Sequence, residues 1–219
     1  MSGSLRIEIW SDIACPWCYL GKRHLEEALE RFDGDVEPEV IWRSFQLQPD
    51  APRFGEPGAG EPTGEYLTRE RGYPPEQLAE SQARLTAMAA AVGLDYHLEL
   101  GKVANTFDAH ALHHAAARQG LGDAMVERLF KAQHVEGLRL DDPAVLSALA
   151  AEIGLEGDAA VPTEADRAGV VSDLEEARGI GVNGVPFFVF DRRLAVSGAQ
   201  PANVLLGAIE QALGADAPA

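Results

Sequence analysis

The chain has 219 residues, with 35 acidic against 18 basic side chains, a formal net charge of −17, 46% hydrophobic residues and 24% charged ones. This is the make-up of a globular protein that buries about 70% of its unfolded surface. Its acidic surface repels phosphate backbones and anionic lipid, which argues against nucleic-acid or membrane partners, and no stretch approaches the ~20 apolar residues of a span.

Taken in chain order, residues 5–10 alternate as a strand and enter it almost at once. The preceding residues lack a basic region followed by an apolar core, so no secretion signal is expected, and a reducing cytoplasm is the expected setting. Fifteen Arg against three Lys in an Ala- and Gly-rich chain point to a high-GC bacterial genome. Residues 16–32 read as a helix, with Pro16 in its first turn and Leu20, Leu25, Ala28, Leu29 and Phe32 on one face. Residues 40–47 read as a second strand. Residues 49–64 hold four prolines and four glycines, and predict a loop or hinge at the edge of a cleft.

Helical patterns follow. Leu78, Leu85, Met88, Ala89 and Val92 share a face, then Phe107, Ala111, Leu112 and Ala115, then Met125, Leu129 and Phe130. Asp142-Pro143 opens the helix that carries Val145, Leu146, Leu149 and Ile153. Thr163 caps another over 163–178, with Asp166 three residues later. Val185 to Phe190 is an apolar run that suits a strand covered on both faces. Asp191 to Arg193 turns the chain into a short strand at Leu194–Val196, and Asn203–Leu213 is a final amphipathic helix. The order is β-α-β, a helical block, α, then β-β-α. Without the block it is a thioredoxin fold, so the expected class is α/β, a thioredoxin fold with a helical domain inserted between the second strand and the helix preceding the third. The expected parts are 1–48 and 163–219 for the thioredoxin domain and 49–162 for the insertion.

Cys15-Pro16-Trp17-Cys18 stands where the first strand gives way to the first helix, and these are the only two cysteines. Thiols spaced i, i+3 on a first helical turn can close a small disulfide. The partial positive charge and free N–H groups of the helix start favour a thiolate at the first sulfur, the form that attacks disulfides. A structural disulfide or half of a zinc site are the alternatives. Zinc needs about four ligands, and no second Cys pair or His-x-x-x-His lies beside this one. His110 and His114 are four apart on one helix, a pattern more often structural than metal-binding, so no metal and no bound cofactor are expected. Asp12, three residues before Cys15, tunes the thiol or caps the strand end. Pro186, after Gly184-Val185, stands at the start of a strand, where a cis Val185–Pro186 bond fits.

Ser11-Asp12 before the cysteine motif, Trp42-Arg43-Ser44-Phe45-Gln46-Leu47, Asn105-Thr106 with Ala109-His110, and Gly184 to Phe190 with Ala195 to Gln200 span almost the whole chain. In this order they resemble the DsbA-like thioredoxin-fold family, most closely its FrnE-like branch. The resemblance implies dithiol–disulfide exchange, a cis-proline loop facing the cysteines and a helical insertion. Pro-Trp between the cysteines differs from the Pro-His of strongly oxidising periplasmic DsbA, which implies a less oxidising pair. Kappa-class glutathione transferases and 2-hydroxychromene-2-carboxylate isomerases share much of the scaffold, but carry Ser at the place of Cys15 and lack the second thiol.

Cys15 is expected to be the exposed attacking thiol, Cys18 the buried resolving one, and Pro186 to shape the groove. Pro16, Trp17, Val185, Asn105, His110, Ser197 and Gln200 are the expected substrate contacts, Val185 through its backbone and Ser197 with Gln200 as an anion seat or simple helix caps. The expected partner is a disulfide-containing protein or a small thiol or disulfide, with glutathione as a possible co-substrate. A glutathione-dependent transferase or isomerase, or a redox-sensing binding protein or holdase, are the other readings.

Overall fold

The computed structural model describes residues 5–214. Its four-stranded sheet contains β1 (Arg6–Ser11), β2 (Glu39–Ser44), β3 (Phe187–Phe190) and β4 (Leu194–Ser197), in the order β2-β1-β3-β4. β1 and β2 are parallel and register Ile9 with Trp42, whereas β3 is antiparallel to both β1 and β4. α1 (Pro16–Arg31) connects the parallel pair, and α8 (Ala202–Gly214) packs beside α1. Between β2 and β3 run α2 (Thr63–Arg71), α3 (Pro75–Ala91), α4 (Phe107–Ala117), α5 (Gly122–His134), α6 (Pro143–Glu152) and α7 (Glu164–Gly179). This is the expected thioredoxin arrangement, with α2 to α6 as the inserted helices and α7 leading into β3.

The alternation of β1 builds two cores. Ile7 and Ile9 join Leu20, Leu25, Leu205 and Ile209 in the larger cluster, which continues into the inserted helices through Met125, Leu129 and Phe130. Trp10 points the other way and packs with Ala177, Val182 and Val189. Glu8 shares that second face and is buried. Its carboxylate accepts from Arg43 Nε at 3.0 Å and is also paired with Arg192, so the charge is compensated where it is desolvated. These guanidinium bonds hold the Glu8 carboxyl below its usual range against the opposing effect of burial.

Local signals set the helix starts. Asp142 accepts from Ala144 N at 2.9 Å, and Thr163 and Asp166 form a reciprocal capping box. Four expectations are corrected. β2 ends at Ser44 rather than residue 47, because the Asp12 carboxylate captures Leu47 N at 2.7 Å and draws the chain off the sheet. β3 starts at Phe187 rather than Val185, since Pro186 has no N–H to give a ladder. Thr63 and Gly64 belong to a helix, α2, that the Pro/Gly-rich composition hid. Met88 lies on the outer side of α3 and is 39% exposed.

Candidate active site

Asp12 organises the turn between β1 and α1. Its backbone carbonyl accepts from Cys15 N at 3.0 Å, its Oδ1 from Ala14 N at 3.2 Å, and its Oδ2 from Leu47 N. One buried carboxylate thus ties the cysteine turn to the segment leaving β2. Cys15 is left with extended backbone as the N-cap of α1, and Pro16 opens the helix, where its missing N–H costs no hydrogen bond. Cys18 N closes the first turn onto Cys15 O at 3.0 Å.

Both cysteines are free thiols in contact with each other. Cys15 was expected to be exposed and is only 5% so, because the inserted helices cover it; Cys18 is fully buried. Burial, and then the neighbouring Cys15 sulfur, push the Cys18 thiol well above its usual range, with the Ser11 hydroxyl and Asp12 backbone offsetting little of it. The two sulfurs therefore differ in access: Cys15 lines a cavity and Cys18 is sealed in the core.

On one side of Cys15 is the β3 approach. Cys15 Sγ donates to Val185 O at 3.7 Å, the Val185–Pro186 bond is cis, and Pro186 O accepts from Gly198 N at 2.8 Å. A Cβ built on Gly21 of α1 would lie 2.9 Å from Pro186 Cγ, so only glycine admits the proline ring so close to the helix.

On the other side is a cavity of ≈ 330 Å³, lined by Cys15, Pro16 and Trp17 from α1 and its cap, and by residues of α2, α3, α5 and the 98–104 segment. Side chains of the inserted segment brace the cysteine turn. Tyr96 donates its hydroxyl to Pro16 O at 2.6 Å, and His134 donates Nε2–H to Ile13 O at 3.0 Å. The two rings lie 5.6 Å apart, and Tyr19 stacks on Phe130 at 5.1 Å behind them. Burial drives His134 down to about 4, with the Ile13 carbonyl and the Asp12 charge pulling only partly back, so the ring is neutral around pH 7. Tyr96 and His134 bear no motif. They reach the turn from 80 and 121 residues away, and no local signal marks them.

The expected contacts separate into two groups. Pro16 and Trp17 line the cavity, and Val185 and Pro186 flank the Cys15 sulfur. Asn105, His110, Ser197 and Gln200 do not line that cavity. Asn105 is a buried fastener: its amide donates to Pro49 O at 3.0 Å and Ala51 O at 3.1 Å, and its Oδ1 accepts from Gln46 and Phe107 N. It pins the loop that composition predicted to be a hinge. His110 lies behind the cysteine turn, with Nε2 3.6 Å from Asp12 Oδ1 and no hydrogen-bond partner. The Gln200 side chain donates to Ser197 O at 2.9 Å, a local bond at the start of α8. His114 bonds Ser44 and Asp173 on the far side of the sheet.

A family model for the DSBA-like thioredoxin domain matches residues 6–210. A probable DsbA oxidoreductase from Streptomyces coelicolor is 38% identical and superposes with a TM-score of 0.88, over 98% of this chain and 92% of that one. The cytosolic disulfide reductase DsbM from Pseudomonas aeruginosa, solved with GSH, is 22% identical with a TM-score of 0.61, covering 95% and 99% of the two chains. Among curated proteins, YwbO of Bacillus subtilis, an uncharacterized protein, is 27% identical over 155 residues, 70% of this chain and 68% of its own. The match runs from β1 through the cysteine turn and the inserted helices to α8, and the chain belongs to the DSBA-like thioredoxin-domain family.

Proposed function

We propose that the protein is a thiol–disulfide oxidoreductase that works through Cys15-Pro16-Trp17-Cys18. The observation that carries this reading is the asymmetry of two touching thiols: Cys15 caps a helix and faces a cavity, whereas Cys18 is sealed behind it. Cys15, as thiolate, attacks a substrate disulfide R–S–S–R′; a bond forms from Cys15 to one sulfur, and R′–S⁻ leaves with the electron pair of the broken bond. Cys18 then loses its proton and attacks Cys15 Sγ. The second thiolate departs, and the enzyme holds a Cys15–Cys18 disulfide. Two electrons have passed to the substrate, and a thiol reductant returns them. Glutathione suits that role, since the DsbM structure was solved with it, and the same likeness supports a reducing cytoplasm as the setting.

The second thiol favours exchange over a transferase or isomerase, which needs only one nucleophile. The test is covalent trapping with glutathione disulfide. Cys18→Ser should accumulate one glutathione on Cys15, seen by mass spectrometry, because nothing resolves the adduct. Cys15→Ser should form none. Adduct formation on Cys18 in the Cys15→Ser variant at the rate seen on Cys15 would overturn the assignment.

A further inference from the structure

The lining of the Cys15 cavity is at odds with the rest of the chain. The protein has 35 acidic residues and a net charge of −17, yet no Asp or Glu lines this cavity. Its one full cation is Lys102, since His134 is neutral around pH 7. The chain has three lysines. Lys22 is enclosed by Glu26, Asp123 and Glu127, and Lys131 faces Glu136 at 3.9 Å. Lys102 has no carboxylate within ion-pair reach among the described residues. A lone lysine in an acid-free pocket of an acidic protein is a seat for an anion that comes from outside.

Two further polar groups support a ligand there. Gln133, 7% exposed, and Thr63 both line the cavity. The rest of the wall mixes apolar side chains, Trp17, Leu67, Leu85 and Leu98 among them, with the uncharged polar Gln48, Ser81 and Gln82. The volume of ≈ 330 Å³ equals that of about eleven waters at ~30 Å³ each, near the lower end of the ~300–1,000 Å³ typical of small-molecule sites. That volume suits a small molecule.

We propose that the substrates reduced at Cys15 are low-molecular-mass disulfides that carry a carboxylate, and that Lys102 selects them by pairing with it. This rests on the exchange reading and names its substrate class. The carboxylate end sits at Lys102, and the disulfide reaches Cys15 within the same cavity. Cys15 takes one sulfur and Cys18 releases it, with the same two-electron balance as above; the reduced protein itself supplies both electrons in a single turnover.

The test is single-turnover reduction of two aromatic disulfides by pre-reduced protein. One is 5,5′-dithiobis(2-nitrobenzoate), with a carboxylate on each ring, and the other is neutral 2,2′-dithiodipyridine. The readout is the ratio of the anionic to the neutral rate. Lys102→Gln should lower that ratio about tenfold, the size of one partly screened charge pair, and Lys102→Glu further. Lys102→Arg should restore most of it. Lys131→Gln removes the same charge from the exposed side of α5 and should leave the ratio within about twofold, which separates the site from net charge. A ratio that Lys102→Gln does not move, or that Lys131→Gln moves equally, would overturn the proposal and leave the exchange reading standing. So would faster reduction of a disulfide-bonded unfolded protein, insensitive to Lys102. Failure of the wild-type protein to reduce either probe would overturn the exchange reading itself.

Discussion

At the scale of single residues, the site is a difference between two identical side chains. Cys15 and Cys18 are three apart on one helical turn and both touch the core, but only the first caps the helix and lines the cavity. Burial holds Cys18 in its protonated form. Iodoacetamide at pH 7 should therefore alkylate Cys15 and leave Cys18 unlabelled in the folded protein, with both labelled in denaturant; equal labelling of the native pair would contradict the assignment. The residues that hold the turn make a second prediction. Tyr96→Phe removes the bond to Pro16 O while keeping the ring's packing, and should cost about 1 kcal/mol of stability by urea unfolding. It should also slow Cys15 exchange, since Pro16, next to Cys15, loses its tether to the insertion. An unchanged midpoint would show that the hydroxyl contributes nothing net.

At the scale of elements, the close approach of α1 to the segment before β3 brings Pro186 to the cysteines. Gly21 permits it. Gly21→Ala puts a methyl 2.9 Å from Pro186 Cγ and 3.3 Å from Phe188 Cζ, against a rigid ring and a buried one, and should destabilise by about 1–3 kcal/mol. Gly207→Ala is the contrast: it lies inside α8 with open space around it, and should stabilise by about 0.5–1 kcal/mol through helix propensity. Thermal denaturation of the two variants should give shifts of opposite sign. If both destabilise, the α1–Pro186 contact is not what distinguishes them. This scale also separates what the sequence made legible from what it did not. The cysteine turn, the Asp142 cap, the Thr163–Asp166 box and Pro186 were readable because each is a local pattern of a few residues. α2 was not, because Pro62, Gly64 and Gly72 punctuate it as they would a loop. Lys102, Tyr96, Gln133 and His134 were not, because only the docking of the insertion brings them to the cysteines. Asn105, expected as a substrate contact, fastens the 49–51 segment and does not line the cavity.

At the scale of the whole molecule, buried histidines couple the fold to pH. Burial holds His113 down to about 3, helped by neighbouring His114 and His110, and His134 down to about 4. Both ordinarily titrate near 6.5, so the unfolded chain takes up these protons first as pH falls. The stability tied to their neutral forms is fully present above about pH 6.5 and is lost progressively toward pH 4 for His134 and pH 3 for His113, each at up to about 1.4 kcal/mol per pH unit. Urea unfolding between pH 7 and 5 should show stability falling, and His113→Gln should reduce that slope by one proton's worth; a slope unchanged in the variant would remove His113 from the account. The central claim is that the cysteine pair cycles. The direct measurement is the number of disulfides reduced per protein molecule with substrate disulfide and a thiol reductant both in excess. The account predicts many turnovers for the wild-type protein and no protein-dependent turnover for Cys15→Ser. A single stoichiometric oxidation that then stops, or full turnover by Cys15→Ser, would contradict it.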